Sequence, residues 1–229
     1  MMKKINIAID GPSAAGKSTI SKTLAKELNY IHLDSGAMYR SAAYKAIQEN
    51  IAQDDEEALV EMLKNTSIEL TTDGRVIVDG NDVSKNIRTN GISMAASNVS
   101  KLQGVREILV QEQQKMAKSK GYIMDGRDIG TVVLKDAEVK IFLTASVESR
   151  AQRRYKQDLE AGRNADLDCL REDIEKRDYQ DTHRANSPLR KADDAIEVDS
   201  SNLTKEEVVN EILNIVHKKM NEVNVWVKT

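Results

Sequence analysis

A short segment near the start of the chain, residues 11–18, constrains the fold more than any other part of the sequence. It reads GPSAAGKS and fits the pattern G-x-x-x-x-G-K-[ST]. The β-branched run Ile5–Ile9 precedes it, and helical spacing follows it from Lys17 to Leu28. In this context the N–H groups of the loop and the N-terminus of the helix attract anions. The sequence therefore predicts a nucleoside triphosphate site rather than a glycine turn that only joins a strand to a helix.

The residue types within this loop predict separate tasks. Gly11 and Gly16 allow the backbone to fold tightly around a polyphosphate. The amine of Lys17 reaches the β and γ phosphates, and the hydroxyl of Ser18 binds Mg²⁺. The predicted triphosphate-binding residues are Gly11, Pro12, Ser13, Ala14, Ala15, Gly16, Lys17, Ser18 and Thr19.

The rest of the chain alternates between strand-like and helix-like segments. Further strands are predicted at residues 30–34, 122–126, 139–145 and 195–199, with helical spacing between them, and those at 122–126 and 139–145 are of a buried type. Residues 67–88 change to short alternating runs, SIELTT, RVIVDG and NDVSKNI, which indicate a small antiparallel sheet. Together these patterns predict an α/β fold, a doubly wound parallel sheet with one β-rich insertion and one Arg-rich helical insertion.

Composition excludes several classes of protein. The 229 residues carry a formal net charge of −3, so the chain as a whole has no electrostatic footprint for a nucleic acid polymer or an anionic membrane surface. No apolar run approaches the ~18 residues of a membrane span. Cys169 is the single cysteine and cannot form an internal disulfide. We therefore expect a cytoplasmic protein.

The absence of an Asn-Lys-x-Asp element argues against a guanine-specific GTPase, which leaves a small kinase as the expected class. A kinase needs arginines where two anionic substrates meet. Arg40, Arg127 and Asp128 follow predicted strand ends, where open α/β sheets bind ligands. The alternatives are a surface helix arginine at position 40 and a turn cap at position 128. Further arginines between positions 150 and 190 fit either a salt-bridged surface or the site: Arg150, Arg153, Arg154, Arg163, Arg171, Arg177, Arg184 and Arg190.

With these elements in view, the sequence closely resembles the bacterial cytidylate kinases, P-loop nucleoside monophosphate kinases that phosphorylate CMP and dCMP from ATP. The resemblance covers essentially the whole chain. It rests on the motifs IDGPSAAGKST, LDSGAMYR, ASNVSKLQGVRE, DGRDIGTVV, VKIFLTAS, EKRDYQDTHRANSPL and KADDAIEVDS. It implies ATP with Mg²⁺ as the donor, a monophosphate-binding insertion and an Arg-bearing lid.

The resemblance also implies a CMP site. Its residues are Ser35, Arg40, Ser97, Arg106, Arg127, Asp128, Arg177, Asp181 and Arg184. The implied division gives Ser97, Arg106 and Asp128 to the base. It gives Arg177 and Asp181 to the sugar, and Arg40, Arg127 and Arg184 to phosphate. The implied catalytic residues are Lys17, Arg127, Arg184, Arg153 and Arg154.

Spacing adds detail to this expectation. Arg177, Asp181 and Arg184 recur at i, i+4 and i+7, which puts them on one face if the segment is helical. Of the adjacent Arg153 and Arg154, one is expected to face the site. The histidines at 32, 183 and 217 lack metal-ligand spacing and are interpreted as structural, and Trp226 is interpreted as a packing residue.

The expected organisation divides the chain into five segments. Residues 1–66 form a core part with the phosphate loop, 67–103 the monophosphate-binding insertion, 104–150 core, 151–185 the lid with a substrate-binding helix, and 186–229 core. A monomer is expected, with no nucleic acid or membrane partner. Two other functions stay open at this stage: a kinase of the same fold that acts on UMP or AMP, and an ATP-binding module without enzymatic activity.

Overall fold

A computed structural model of the protein describes residues 3–71 and 73–225, with Trp226 outside the described residues. The strands are β1 (Ile7–Asp10), β2 (Ile31–Asp34), β3 (Ile68–Leu70), β4 (Val76–Val78), β5 (Asn81–Asp82), β6 (Tyr122–Gly126), β7 (Val139–Thr144) and β8 (Ile196–Asp199). The helices are α1 (Lys17–Leu28), α2 (Ser35–Gln48), α3 (Glu56–Lys64), α4 (Asn90–Val99), α5 (Gln103–Ala117), α6 (Val147–Glu160), α7 (Leu167–His183) and α8 (Lys205–Val225).

The central sheet contains five parallel strands in the order β2-β6-β1-β7-β8. Ile7 of β1 pairs with Ile123 on one side and with Val139 on the other. A strand in this central position is buried on both faces, which explains its continuous apolar run. The predicted doubly wound parallel sheet is confirmed.

Alternate side chains of β1 enter two different cores. Ile7 and Ile9 pack with residues of α1 and α8, while Ala8 packs with Met124 and Ala117 on the opposite face. Each core is closed by helices, so both faces of the sheet are covered. This arrangement leaves the carboxyl ends of the strands as the open edge at which a ligand can bind.

A second group of helices lies beside the sheet. Helices α2, α3, α4 and α5 share their own apolar core, which includes Met38, Leu59, Val99 and Leu109. Helical spacing runs through the sequence from residue 91 to 120, yet two helices form there: α4 ends at Val99 and α5 begins at Gln103. The break brings Ser100, at the end of α4, close to Arg106 in the first turns of α5.

The small sheet predicted for residues 67–88 is present but shorter than expected. Strands β3, β4 and β5 pair antiparallel, and NDVSKNI contributes only Asn81–Asp82 before a 3₁₀ turn at Asn86–Arg88. The SIELTT run contributes Ile68–Leu70, and its residue 72 lies outside the described part. Val76 and Val78 pack with Ala37 of α2, which fixes the small sheet to that helix.

Local capping explains where several helices begin. Asp34, Asp55 and Ser146 accept a hydrogen bond from an N–H of the first turn of α2, α3 and α6. Thr204 and Glu207 form a capping box at the start of α8. In the described residues, no helix has the length and apolarity needed to cross a membrane.

Candidate active site

The phosphate loop connects β1 to α1 by a path that only glycine permits at its first position. A Cβ atom on Gly11 would lie 2.0 Å from the carbonyl oxygen of Leu143 in β7. Gly16 has φ 90° and caps α1, a backbone conformation that other residues adopt at a cost. The loop therefore lies against the sheet, with the N-terminus of α1 open for an anion.

Lys17 is the first residue of α1 and is buried beneath the loop. Its Nζ donates hydrogen bonds to the carbonyl oxygens of Gly11 at 2.8 Å and Pro12 at 2.7 Å. Burial, together with the nearby charge of Arg127, lowers the pKa of Lys17 well below its usual range. The amine thus stands inside the loop, with two hydrogen bonds that a phosphate can replace.

Ser18 faces the end of β6. Its Oγ donates to Asp125 Oδ2 at 2.7 Å, and His32 Nε2 lies 2.5 Å from Asp125 Oδ1. His32, interpreted from sequence as structural, therefore orients a carboxylate beside the loop. A hydroxyl and a carboxylate are hard oxygen ligands of the kind that Mg²⁺ uses together with substrate phosphates and water.

Asp10 joins the end of β1 to the turn that follows β6. Its carboxylate accepts hydrogen bonds from the N–H groups of Ile129 and Gly130, at 2.8 and 2.7 Å. Burial raises the pKa of Asp10 to about 6, although these two hydrogen bonds oppose the shift. The contact holds residues 129–133, a π-helical turn, directly after Asp128.

The start of α2 supplies the first part of the opposite wall. Ser35 Oγ donates to the carbonyl oxygen of Asp125 at 2.7 Å, and Arg40 Nη2 donates to Asp34 Oδ2 at 2.8 Å. Burial alone would raise the pKa of Asp34, but the charges of Arg40 and His32 outweigh it and lower the pKa to about 2. Arg40 is therefore held at the cavity rather than on the outer helix surface.

Asp128 lies between two arginines from distant parts of the chain. Arg106 Nη2 donates to Asp128 Oδ2, and Arg184 Nη2 lies 3.7 Å from Asp128 Oδ1. Arg106 and Arg184 also donate to Ser100, to its carbonyl oxygen and its Oγ, both at 3.2 Å. Burial raises the pKa of Asp128 despite both charges. A buried carboxylate held in this way can accept a hydrogen bond from a ligand.

Arg127, Asp181 and Arg177 form a neighbouring cluster. Arg127 Nε donates to Asp181 Oδ2 at 2.7 Å. Arg177 and Asp181 lie one turn apart on α7, but this helix ends at His183, so Arg184 follows the helix in extended conformation rather than continuing its face. The spacing argument therefore holds for two of the three residues. Burial and the charges of Arg127 and Arg40 lower the pKa of Arg177 to about 10.

Several buried polar atoms of this wall have no hydrogen-bond partner within the described protein. They are Tyr39 Oη, Arg40 Nε, Ser97 Oγ, Arg177 Nε and Arg184 Nη2. Unpaired buried donors are costly, and they occur where a ligand completes the network. All five atoms carry an N–H or O–H donor, so a ligand that completes this network is rich in acceptors, as a nucleotide is.

Arg153 and Arg154 approach from α6. Arg154 Nη2 donates to Asn90 Oδ1 at 2.7 Å, whereas Arg153 Nη1 donates to Ser200 Oγ at 3.0 Å. The sequence predicts that one of the pair faces the site, but both line the same cavity. Adjacent positions on a helix point in different directions, but arginine side chains are long enough for both to reach the cavity.

These groups surround one cavity of about 460 Å³. The predicted residues that line it are Ser13, Ala14, Ala15, Gly16, Lys17, Ser18, Thr19, Ser35, Arg40, Ser97, Arg106, Arg127, Asp128, Arg153, Arg154, Arg177, Asp181 and Arg184. Gly11 and Pro12, also predicted to bind the triphosphate, are not among the lining residues. The size suits small-molecule substrates.

Sequence reasoning missed other residues of this region. Tyr39 lines the cavity, with the guanidinium carbon of Arg106 5.6 Å from its ring centroid. Burial raises the pKa of Tyr39 to about 12. Asp125 stands in the quoted DGRD motif, yet only the fold reveals that it accepts a hydrogen bond from Ser18. Neither residue carries a local signal of its role.

A phosphate loop between β1 and α1, open to a cavity lined by arginines from other elements, defines a P-loop kinase. The family described as cytidylate kinase matches residues 7–218, and the chain belongs to this family. It is 53% identical over 220 residues to the cytidylate kinase of Caldicellulosiruptor saccharolyticus, covering 95% of this chain and 97% of that protein.

Another similar protein is the cytidylate kinase of Bacillus subtilis, at 51% identity over 222 residues, with 96% of this chain and 99% of that protein covered. Among solved structures, an uncharacterized protein from Eubacterium ventriosum gives a TM-score of 0.53 at 13% identity, covering 93% of this chain and 99% of that chain. At that identity the structural likeness concerns the fold alone.

Proposed function

We propose that the protein transfers the γ-phosphoryl group of ATP to CMP and dCMP, producing CDP or dCDP and ADP. The observation that carries the proposal is that the phosphate loop and a wall of buried arginines and carboxylates line one cavity. Relatives named cytidylate kinase share about half of the residues over nearly the full chain. Both substrates are anionic, and arginines outnumber carboxylates among the residues that line the cavity.

The donor is assigned to the phosphate loop. The loop N–H groups after Ser13, whose own N–H donates to Asp178, receive the β and γ phosphates together with the N-terminus of α1, with Lys17 between them. Lys17 is buried and already directed into the loop, so it needs only to exchange two carbonyl partners for phosphate oxygens.

Mg²⁺ is assigned to Ser18, with Asp125 behind it. The two side chains are 2.7 Å apart and offer hydroxyl and carboxylate oxygens. Among the described residues there is no group of three or more acidic, histidine or cysteine side chains suited to a metal. Magnesium sites of this kind use few protein ligands and take the others from phosphate and water, so the residues fit. When bound, the ion neutralises charge on the β and γ oxygens.

The acceptor is assigned to the opposite wall, with CMP or dCMP bound by three groups of residues. Asp128, Arg106 and Ser97 read the base, since a carboxylate accepts from the cytosine N4 amine and repels the O4 carbonyl of uracil. Asp181 and Arg177 bind the sugar. Arg40, Arg127 and Arg184 bind the phosphate, and Ser35 supports this end of the site.

The reaction needs positioning and charge neutralisation rather than a strong base. An oxygen of the acceptor phosphate attacks the γ phosphorus in line, while the bond to the ADP oxygen breaks and its electrons stay with ADP. Lys17, Arg127 and Arg184 offset the charge on the transferred group, with Arg153 and Arg154 approaching from α6. Exclusion of water protects ATP from hydrolysis, and the helical segment 151–185 is the proposed lid.

The domain assignment follows the same proposal. Residues 67–103, which include the small sheet and α4, form the monophosphate-binding insertion, and segments 1–66, 104–150 and 186–229 form the core. The proposed active unit is a monomer.

A coupled assay of ADP release tests the function. We expect turnover with CMP and dCMP at far higher kcat/KM than with UMP, AMP, GMP or shikimate. No turnover with either cytidine nucleotide, or preference for another acceptor, overturns the proposal. ATP binding without acceptor-dependent ADP release would instead identify an ATP-binding module.

A further inference from the structure

The N–H group and the carbonyl oxygen of Ser13, in the phosphate loop, are each hydrogen-bonded by a side chain from α6 or α7. Its N–H donates to Asp178 Oδ1 at 3.0 Å, and its carbonyl oxygen accepts from Arg150 Nη1 at 2.9 Å. Arg150 lies on α6 and Asp178 on α7, and the two side chains form an ion pair with each other. One residue of the donor loop is thus fixed by a pair that belongs to neither the loop nor the sheet.

The pair is well enclosed. The side chain of Arg150 is 5% exposed and that of Asp178 is 18% exposed. Arg150 Nε also donates to the carbonyl oxygen of Ala145, just after β7, at 2.9 Å. Every contact joins a different element, so the pair ties the sheet edge, the loop and α7 together. A buried ion pair adds little to the net free energy of unfolding, which favours a role for this pair in positioning the loop.

Helix α7 contacts both halves of the cavity. Asp178 touches the donor loop, while its neighbour Arg177 and Asp181 one turn later line the acceptor wall. A helix moves largely as a rigid body. Any ligand that fixes Arg177 and Asp181 therefore also fixes the carboxylate that holds Ser13.

We propose that the Arg150–Asp178 pair couples the two nucleotide sites, so that CMP bound to α7 raises the affinity of the phosphate loop for ATP, and ATP raises the affinity for CMP by the same factor. Arg150 and Asp178 are positioning residues: they act through Ser13 and not on the substrates. The inference rests on the proposed function, since it takes a cytidine monophosphate as the ligand of the acceptor wall.

A purely electrostatic role for Asp178 predicts the opposite sign. Asp178 adds negative charge near Arg127 and Arg177. If charge were all it contributed, its removal would strengthen the binding of anionic nucleotides. If it positions the loop, its removal weakens the binding of the triphosphate and abolishes the coupling.

Isothermal titration calorimetry separates these outcomes. The probes are Mg²⁺ with adenylyl imidodiphosphate, a non-hydrolysable ATP analogue, and CMP, each titrated alone and in the presence of the other. For the wild type we expect each probe to tighten the other about fivefold or more, within the usual range of coupling between sites. Asp178→Ala is expected to bring this factor close to one and to weaken the analogue alone.

Variants of graded chemistry sharpen the test. Asp178→Asn retains an oxygen for the N–H of Ser13 and is expected to restore part of the coupling. Arg150→Lys keeps the charge but loses the forked geometry, and is expected to lower the coupling without preventing folding. Asp168→Ala removes an exposed carboxylate from the first turn of the same helix and is expected to leave the coupling at the wild-type value.

The results distinguish this inference from the proposed function. Absence of CMP binding to the wild type overturns both. Binding of both probes without mutual tightening in the wild type, or full coupling in Asp178→Ala and Arg150→Lys, overturns the coupling role alone. Tighter binding of the analogue by Asp178→Ala would assign the carboxylate an electrostatic role instead.

Discussion

The two sides of the cavity differ in whether their polar side chains have hydrogen-bond partners within the protein. On the donor side, Lys17 donates to two carbonyl oxygens of its own loop and Ser18 to Asp125. On the acceptor side, nitrogen atoms of Arg40 and Arg177 are buried with no partner in the described protein. On the donor side the side chains of Lys17 and Ser18 are paired without substrate, whereas on the acceptor side some side-chain hydrogen-bonding groups have no partner within the described protein.

Because of this difference, the free-energy cost of the polar groups falls on substrate binding at the donor side and on folding at the acceptor wall. A substrate that enters the donor side has to replace existing hydrogen bonds, so binding there exchanges one set of partners for another. At the acceptor wall the cost is already present in the folded protein, because unpaired buried donors destabilise it. We therefore expect substitutions in the loop to affect the chemical step most, and substitutions in the wall to affect affinity and stability in opposite directions.

The largest effect is expected for Lys17→Ala. Loss of the amine that contacts the transferred group should lower kcat by orders of magnitude while the melting temperature stays close to that of the wild type. Steady-state kinetics and thermal unfolding give the two readings. Lys26→Ala, on the exposed side of the same helix, is the matched control and should keep wild-type kcat. Near-normal turnover by Lys17→Ala would contradict the assignment of the loop.

A smaller effect is expected for Asp128→Asn. The amide can donate to the O4 of uracil, so the preference for CMP over UMP should fall by about tenfold or more, in line with ~1–3 kcal/mol for a base contact. The measurement is kcat/KM for both acceptors, with KM for ATP as the internal reference. Asp136→Asn, an exposed carboxylate, should leave the preference unchanged. If ATP binding collapses while the base preference survives, Asp128 does not read the base.

Arg177→Met tests whether the unpaired buried donors of the acceptor wall lower the free energy of unfolding. Removing a guanidinium with an unpaired buried nitrogen should raise the melting temperature by a few degrees, equivalent to about 1 kcal/mol in a chain of this size. The KM for CMP should rise at least tenfold in the same protein. Arg171→Met on the same helix removes a half-exposed arginine and should change neither quantity in this way. A lower melting temperature for Arg177→Met would show that the wall is stabilising without ligand.

The smallest effect concerns a single proton on Asp10. Its pKa of about 6 lies above the ordinary 3.8, so the folded protein holds this proton more tightly than the unfolded chain. Its contribution to the free energy of unfolding is therefore complete below about pH 4 and is lost as the pH rises through about 6. The ¹³C resonance of the Asp10 carboxyl group should titrate with a midpoint near 6. A midpoint below 4 would mean that the two N–H donors outweigh burial.

The donor side and the acceptor side also differ in how far the sequence predicts them. The donor loop is a contiguous segment whose glycines, lysine and hydroxyl stand at fixed spacing, so strand, loop and helix follow from local chemistry. The parallel sheet also follows, because strands buried on both faces are continuously apolar. The limits of α4 and α5 do not follow, since the break at residues 100–102 contains neither glycine nor proline.

The acceptor wall, and the ion pair that holds Ser13, depend on contacts between distant residues that local sequence patterns do not encode. Arg150 is indistinguishable in sequence from Arg153 and Arg154, and its contact with Ser13 spans 137 residues. Helical spacing extended past His183 misassigned Arg184 to the face of α7, although the resemblance to a known family had marked the residue itself. The roles of the individual site residues remain predictions from that resemblance, and the variants described above test them.

The position of Gly11 against the sheet limits which substitutions the phosphate loop can accept. Any side chain there would collide with the main chain of Leu143, which belongs to a central strand with neighbours on both sides. A flexible side chain can give way, but a strand in the middle of a sheet cannot. In a saturation-mutagenesis library selected for growth, position 11 should accept glycine alone. Gly91, in the first turn of α4, should tolerate other residues, because a Cβ atom there would meet no atom within 4 Å and its φ is not positive. Tolerance at these two glycines would thus follow the space around each Cβ position.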